Sequence, residues 1–298
     1  MLGLEKVINS NTLTLGRSFL ATSTLITLLF TEIEDLFPVH HLIELRKDVE
    51  GVMELNYFLW FENITIPYIF SIIVLLMVIL GFYPRYFSIL HAWISYSVFY
   101  TMLIVEGGDQ IICILTLLII PVCILDSRTN GWTVKGSKKP LKNAFLFYNA
   151  KYSMLFITIQ MSVVYFNASV SKMFAPEWGN GTAVYYWFFD NMFGAPKWMQ
   201  HIAGPLFTND ISVTLINWSV ILLELFLFIG LFLKQHYKYL LFLLGITFHF
   251  LIFIVHGLFT FSIAMLGGLI LYYLQLDKSI IENIKQIKTD MTFIIRQL

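Results

Sequence analysis

Residues 163–188 read VVYFNASVSKMFAPEWGNGTAVYYWF. An apolar run reaches Lys172 and breaks at Pro176, because proline removes a backbone donor and clashes with the preceding turn. Trp178, Gly179, Asn180 and Gly181 follow as a turn signal, and then a second aromatic run begins. A lysine ending an apolar helix, under an aromatic and glycine-rich loop, has two readings. It is an anchor that snorkels its ammonium to the membrane surface, or it is a reactive group.

The rest of the chain sets the solvent in which that helix sits. Of 298 residues, 58% are hydrophobic and 13% charged, with zero net charge and a mean hydropathy of +0.75. A water-soluble domain of this length needs more charge on its surface. Runs long enough to cross a bilayer, about 20 mostly apolar residues, recur along the sequence and lack the alternation of a membrane β-barrel. The balance of charge gives no electrostatic case for nucleic acid. No phosphate-binding glycine loop, HExxH metal motif or GxSxG elbow is present. The first apolar run holds Arg17 and ends without a small-x-small cleavage pattern, so it is expected to be retained rather than removed as a signal. Cys113 and Cys123 share one run, about 15 Å apart on a continuous helix, too far for a disulfide.

These features predict an all-α, polytopic membrane bundle of about eight helices at residues 13–30, 64–82, 86–105, 111–125, 152–171, 211–233, 239–255 and 258–276. The fourth is expected to be the weakest, being short and holding Pro121. With the N-terminus cytoplasmic, the inside segments hold fourteen basic residues: Lys6, Arg85, Arg128, Lys135, Lys138, Lys139, Lys142, Lys151, Lys234, Lys238, Lys278, Lys285, Lys288 and Arg296. The outside segments hold four: Arg46, Lys47, Lys172 and Lys197. The positive-inside rule therefore places both termini in the cytoplasm. Residues 1–276 form the expected membrane domain. Residues 277–298 form an expected amphipathic cytoplasmic tail, with isoleucines at 280, 281, 284 and 287 and lysines between them.

Ionisable groups within spans are functional candidates by default. This topology sends Glu106, Asp109, Lys172 and His256 to the outer face and leaves Arg17, Glu224 and His249 deeper. Glu224, in the run LLELFLF, needs a partner or a proton, and Arg17 and His249 are the candidates for that partner. Each group also has a plainer reading. Lys172 snorkels, Glu106 and Asp109 cap a glycine turn, Arg17 and Glu224 form a structural pair, and His249 packs in the core.

The blocks LTLGRSFLATSTLI (13–26), EGGDQIICILTLLIIPVCILDSRTNGWTV (106–134), VYFNASVSKMFAPEWGNGTAVYYW (164–187), NWSVILLELFLFIGLF (217–232) and FHFLIFIVHGLFTFSIAML (248–266) resemble the HTTM family. That family is the membrane domain shared with vitamin K-dependent gamma-carboxylase. Size and the lack of further domains make the chain similar, within it, to the sporulation-delaying SdpB group. The resemblance implies a bacterial multipass protein that works with an SdpA-type partner to mature a secreted antimicrobial peptide from its toxin precursor. It implies that Lys172 and His249 are catalytic. The shared outer face makes Glu106, Asp109, Trp178 and His256 the expected substrate-binding residues, and the deeper Arg17 and Glu224 the expected structural polar residues within the membrane. A carboxylase histidine falls near Asn130-Gly131, where this chain has none. The readings that follow are a peptide-maturation factor at the outer face, a quinone-dependent carboxylase-like enzyme, and a non-enzymatic transporter or immunity protein.

Overall fold

A computed structural model describes residues 7–8, 10–47, 49–134 and 143–296. Lys6, Lys135, Lys138, Lys139 and Lys142, used in the sequence reading, lie outside the described residues. About 80% of the structure is helix, and no strand occurs among the described residues. Eight main helices carry the fold: α1 (Thr12–Phe30), α2 (Thr65–Ile79), α3 (Pro84–Thr101), α4 (Gly107–Ile124), α5 (Ala144–Phe174), α6 (Asp210–Ile229), α7 (Gln235–His256) and α8 (Phe259–Tyr273). A ninth, α9 (Ile280–Ile295), forms the tail.

Each predicted apolar stretch is thus helical, but among the described residues only five helices are both long and apolar enough to cross a membrane. They are α1, α4, α5, α6 with its 3-10 extension to Phe232, and α7. Helices α2 and α8 have 15 residues each, about 22 Å at 1.5 Å per residue, against a hydrocarbon core of about 30 Å. Helix α3 is diluted by Ser88, His91, Ser95, Ser97 and Thr101, all of them buried. The stretch expected to be weakest is one of the five. Pro121 lies in the last turn of α4, and the helix runs unbroken to Ile124.

The helices alternate in direction. Ser10 Oγ and Thr12 Oγ1, at the start of α1, donate to Lys278 O beyond α8 at 2.8 and 2.6 Å. Near the opposite end, Ser23 Oγ donates to Thr260 O at the start of α8 at 2.8 Å. One end of the bundle therefore carries the described chain termini, and the other carries the long loops 31–63 and 175–209.

Helix α1 packs most extensively on α8. Small residues allow the approach, as they do between helices in lipid generally. A Cβ on Gly267 would stand 2.9 Å from Leu20 Cδ2 and 3.0 Å from Gly16 O. The larger core joins α1, α4, α5, α7 and α8 around Leu115, Ile157, Met161, Tyr165 and Leu269. A second core joins the loop-end half of α1 to α2, α3 and the loop 31–63. That loop is a folded cap. Asn56, fully buried, donates to Thr101 Oγ1 at 2.8 Å and accepts from Phe58 N at 3.1 Å, and Phe37 stacks on Phe58 at 4.9 Å.

The tail helix begins with a capping box between Ser279 and Glu282. It is pinned by Asn283, which is 1% exposed. The Asn283 amide donates to Thr12 Oγ1 at 3.2 Å and Gln275 O at 3.0 Å, and its oxygen accepts from Tyr239 OH at 3.0 Å. Ile281 and Ile284 remain exposed, so α9 is bolted to the bundle by one face and bare on another.

Candidate functional site

Helix α5 places Tyr165, Ser169 and Lys172 on one face, since residues at i, i+4 and i+7 line up on a 3.6-residue helix. Helix α6 presents Asn217, Ile221 and Glu224 with the same spacing. The two faces meet as a polar seam. Ser169 Oγ donates to Ile221 O at 3.1 Å. Lys172 Nζ donates to both Glu224 oxygens, at 2.8 and 2.9 Å. Asn217 Nδ2 donates to Trp178 O at 2.8 Å, which ties the loop after α5 down onto α6. The Trp178 ring then lies over the ammonium, 5.3 Å from centroid to Nζ, a cation–π contact. Next along the seam, Tyr165 OH and His249 Nε2 of α7 are hydrogen-bonded at 3.0 Å.

The partner of Glu224 is therefore Lys172, and neither Arg17 nor His249 fills that role. Glu224 is 5% exposed, while Lys172 keeps some access to solvent. A buried carboxylate needs a counter-charge or a proton, and here it has the counter-charge. Two seam atoms, Asn217 Oδ1 and His249 Nδ1, are buried without partners. Tyr165, Ser169 and Asn217 escaped the sequence reading. Their signal was the repeated i, i+4, i+7 spacing that ends at each charged residue.

Three other predicted residues, Glu106, Asp109 and His256, lie at the same end but in separate settings. Glu106 and Asp109 form a reciprocal capping box at the start of α4, with Glu106 N donating to Asp109 Oδ2 at 2.9 Å. This is the plainer of their two readings. Thr260 Oγ1 also donates to Glu106 at 2.8 Å, linking α4 to α8. Burial pushes the Glu106 carboxyl above its usual range, with Asp109 adding to the rise and the Thr260 hydrogen bond opposing it. His256 Nδ1 meets Phe193 O at 2.8 Å, and its ring stands edge-on to Trp187 at 6.3 Å. Beside it, Asp190 caps the turn by accepting from Met192 N and Phe193 N, both at 2.7 Å. Those bonds hold its carboxyl below the usual range. Arg17 sits near the termini end, away from the seam. Cys113 and Cys123 are free thiols.

Two proteins of Bacillus subtilis (strain 168) are similar to the chain. The sporulation-delaying protein SdpB is 34% identical over 245 residues, which cover 80% of this chain and 73% of that protein. The uncharacterized protein YitO is 30% identical over 284 residues, covering 91% of this chain and 87% of that protein. No family model matches the chain, and no solved structure matches it.

Proposed function

Because the chain belongs to the family of the sporulation-delaying protein SdpB, we propose that it is a multipass protein of a bacterial cell membrane in a sporulation-delaying toxin pathway, needed to mature a secreted antimicrobial peptide. Both termini are cytoplasmic in this reading, in keeping with the basic residues in the termini-end segments. The loop end then faces outward, and the translocated precursor meets it there, with an SdpA-type protein as partner.

The observation that carries a chemical role is the pairing of Lys172 with Glu224 under Trp178. In this reading the pair exchanges a proton with the precursor, and Trp178 and Asn217 fix the lysine beneath the loop. His249, hydrogen-bonded to Tyr165, is a second proton carrier on the same seam. Proton transfer by positioned side chains is worth about 10²–10⁴-fold in rate.

The test is deletion of the gene in its host and replacement by Lys172→Ala and Glu224→Gln. Secreted peptide is followed by a killing assay and by mass spectrometry of precursor and product. The deletion strain is expected to secrete no active peptide, and both variants to accumulate precursor while reaching the membrane in normal amounts. Active peptide from the deletion strain ends the maturation role. Active peptide from well-expressed variants ends only the role of the pair.

A further inference from the structure

Arg17 is not absorbed by the seam at the loop end. It is 3% exposed, and its Nη2 is buried with no hydrogen-bond partner. No carboxylate among the described residues pairs with it. His91 of α3 is 1% exposed, its Nε2 is also buried and unpartnered, and it lies within electrostatic reach of Arg17. Cys123 of α4, fully buried, is within the same reach. Helices α1, α3 and α4 thus hold a guanidinium, an imidazole and a thiol in one buried region, the guanidinium about 8 Å along α1 from Thr12.

Among the described residues, no charge balances the guanidinium. Asp126, at the same end, is fully engaged by Arg128, whose Nε and Nη2 donate to its two oxygens at 2.6 to 3.1 Å. Arg85, six residues before His91 on α3, has a buried and unpartnered Nε of its own. Arginine stays protonated in proteins, and an unpaired buried charge is costly. Water could take the hydrogen bonds but would leave the charge. A guanidinium fork suits an acceptor with two oxygens, and a neighbouring imidazole nitrogen can donate a third bond.

We infer that Arg17 and His91 form an oxyanion-binding site between α1, α3 and α4 at the termini end of the bundle. The phosphate-type group it holds comes either from a lipid headgroup or from a small free anion.

The test uses the full chain in nanodiscs of phosphatidylcholine, with thermal unfolding followed in chloride buffer, with added inorganic phosphate, and with phosphatidylglycerol in the disc. Stabilisation by inorganic phosphate that is lost in Arg17→Met supports the site with a free anion as source. Stabilisation by phosphatidylglycerol alone, again lost in Arg17→Met, supports it with lipid as source. His91→Gln is expected to raise the half-saturating concentration by about tenfold, the scale of one charge-assisted hydrogen bond. If Arg17→Met does not fold, Arg17→Lys, which keeps the charge and loses the fork, is expected to weaken the response in the same assay. No response to either probe, or an unchanged response in the arginine and histidine variants, overturns the inference.

Discussion

Lys172→Ala removes the counter-ion of a carboxylate that is 5% exposed. Two unit charges at the observed 2.8 Å attract by about 6 kcal/mol at an effective dielectric of 20. Most of that offsets the desolvation of the two groups. Removing one member of a buried pair typically costs about 3–5 kcal/mol. Solvent still reaches the Lys172 ammonium, so screening puts the loss at the low end, about 3 kcal/mol. In a chain of this size that lowers the unfolding midpoint by about 6 °C. Glu224→Gln is expected to cost less, about 1–2 kcal/mol, because an unpaired ammonium under Trp178 can turn towards water and a neutral amide replaces the charge. The double variant is the deciding measurement. With neither charge present, its loss is expected to fall short of the summed single losses by about 1–2 kcal/mol, the coupling typical of neighbouring groups. The assay is thermal unfolding of purified protein in nanodiscs, with all four forms in one lipid. Single losses that simply add would mean the two side chains do not sense each other, and the ion pair would drop out of the account.

Three further perturbations probe other parts of the structure. Because burial raises the folded-state value of Glu106, stability should fall as pH rises from about 4.5 through that raised value, where the folded state still holds a proton the unfolded chain has released; Glu106→Gln, which keeps an acceptor for Thr260, should flatten this part of the pH–stability curve, and an unchanged slope would count against it. Gly267→Ala presses a methyl against Gly16 O and Leu20 and should cost about 1–3 kcal/mol by overpacking, read as a lower midpoint with a normal response to Lys172→Ala. Asn283→Ala should cost about 1–3 kcal/mol by leaving buried polar groups unpaired and should speed proteolysis of the tail at fixed protease; equal cleavage rates would show that the tail is held by something else.

Helices were legible here because each apolar run is long and ends at a polar or proline boundary. The individual charges were legible too, since Lys172 and Glu224 stand out against leucine and phenylalanine. Their partnership was not, because it is a distance between helices far apart in sequence. The depth assigned from topology misdirected the choice, placing Glu224 with Arg17 and His249 and Lys172 on the outer surface. The i, i+4, i+7 repeat on both helices would have matched the two faces. His91 lies within the predicted span 86–105 but was not singled out, because serines dilute that helix and no local pattern marks a buried imidazole there. The cap over α2 and α3 depends on Asn56 reaching Thr101 across the fold, which no local pattern announces.

The pairing of α1 with α8 has a consequence for how the chain is made. Helix α1 leaves the ribosome more than two hundred residues ahead of α8, its principal neighbour. Throughout that interval the face around Gly16 lacks the residues of α8 that pack on it. Late, non-local contacts of this kind slow folding and lengthen the life of incomplete species. Insertion intermediates ending before α8 are therefore the forms most exposed to membrane proteases, and a mutation at Gly16 or Gly267 would act first on yield, before any assay of the finished molecule could detect it.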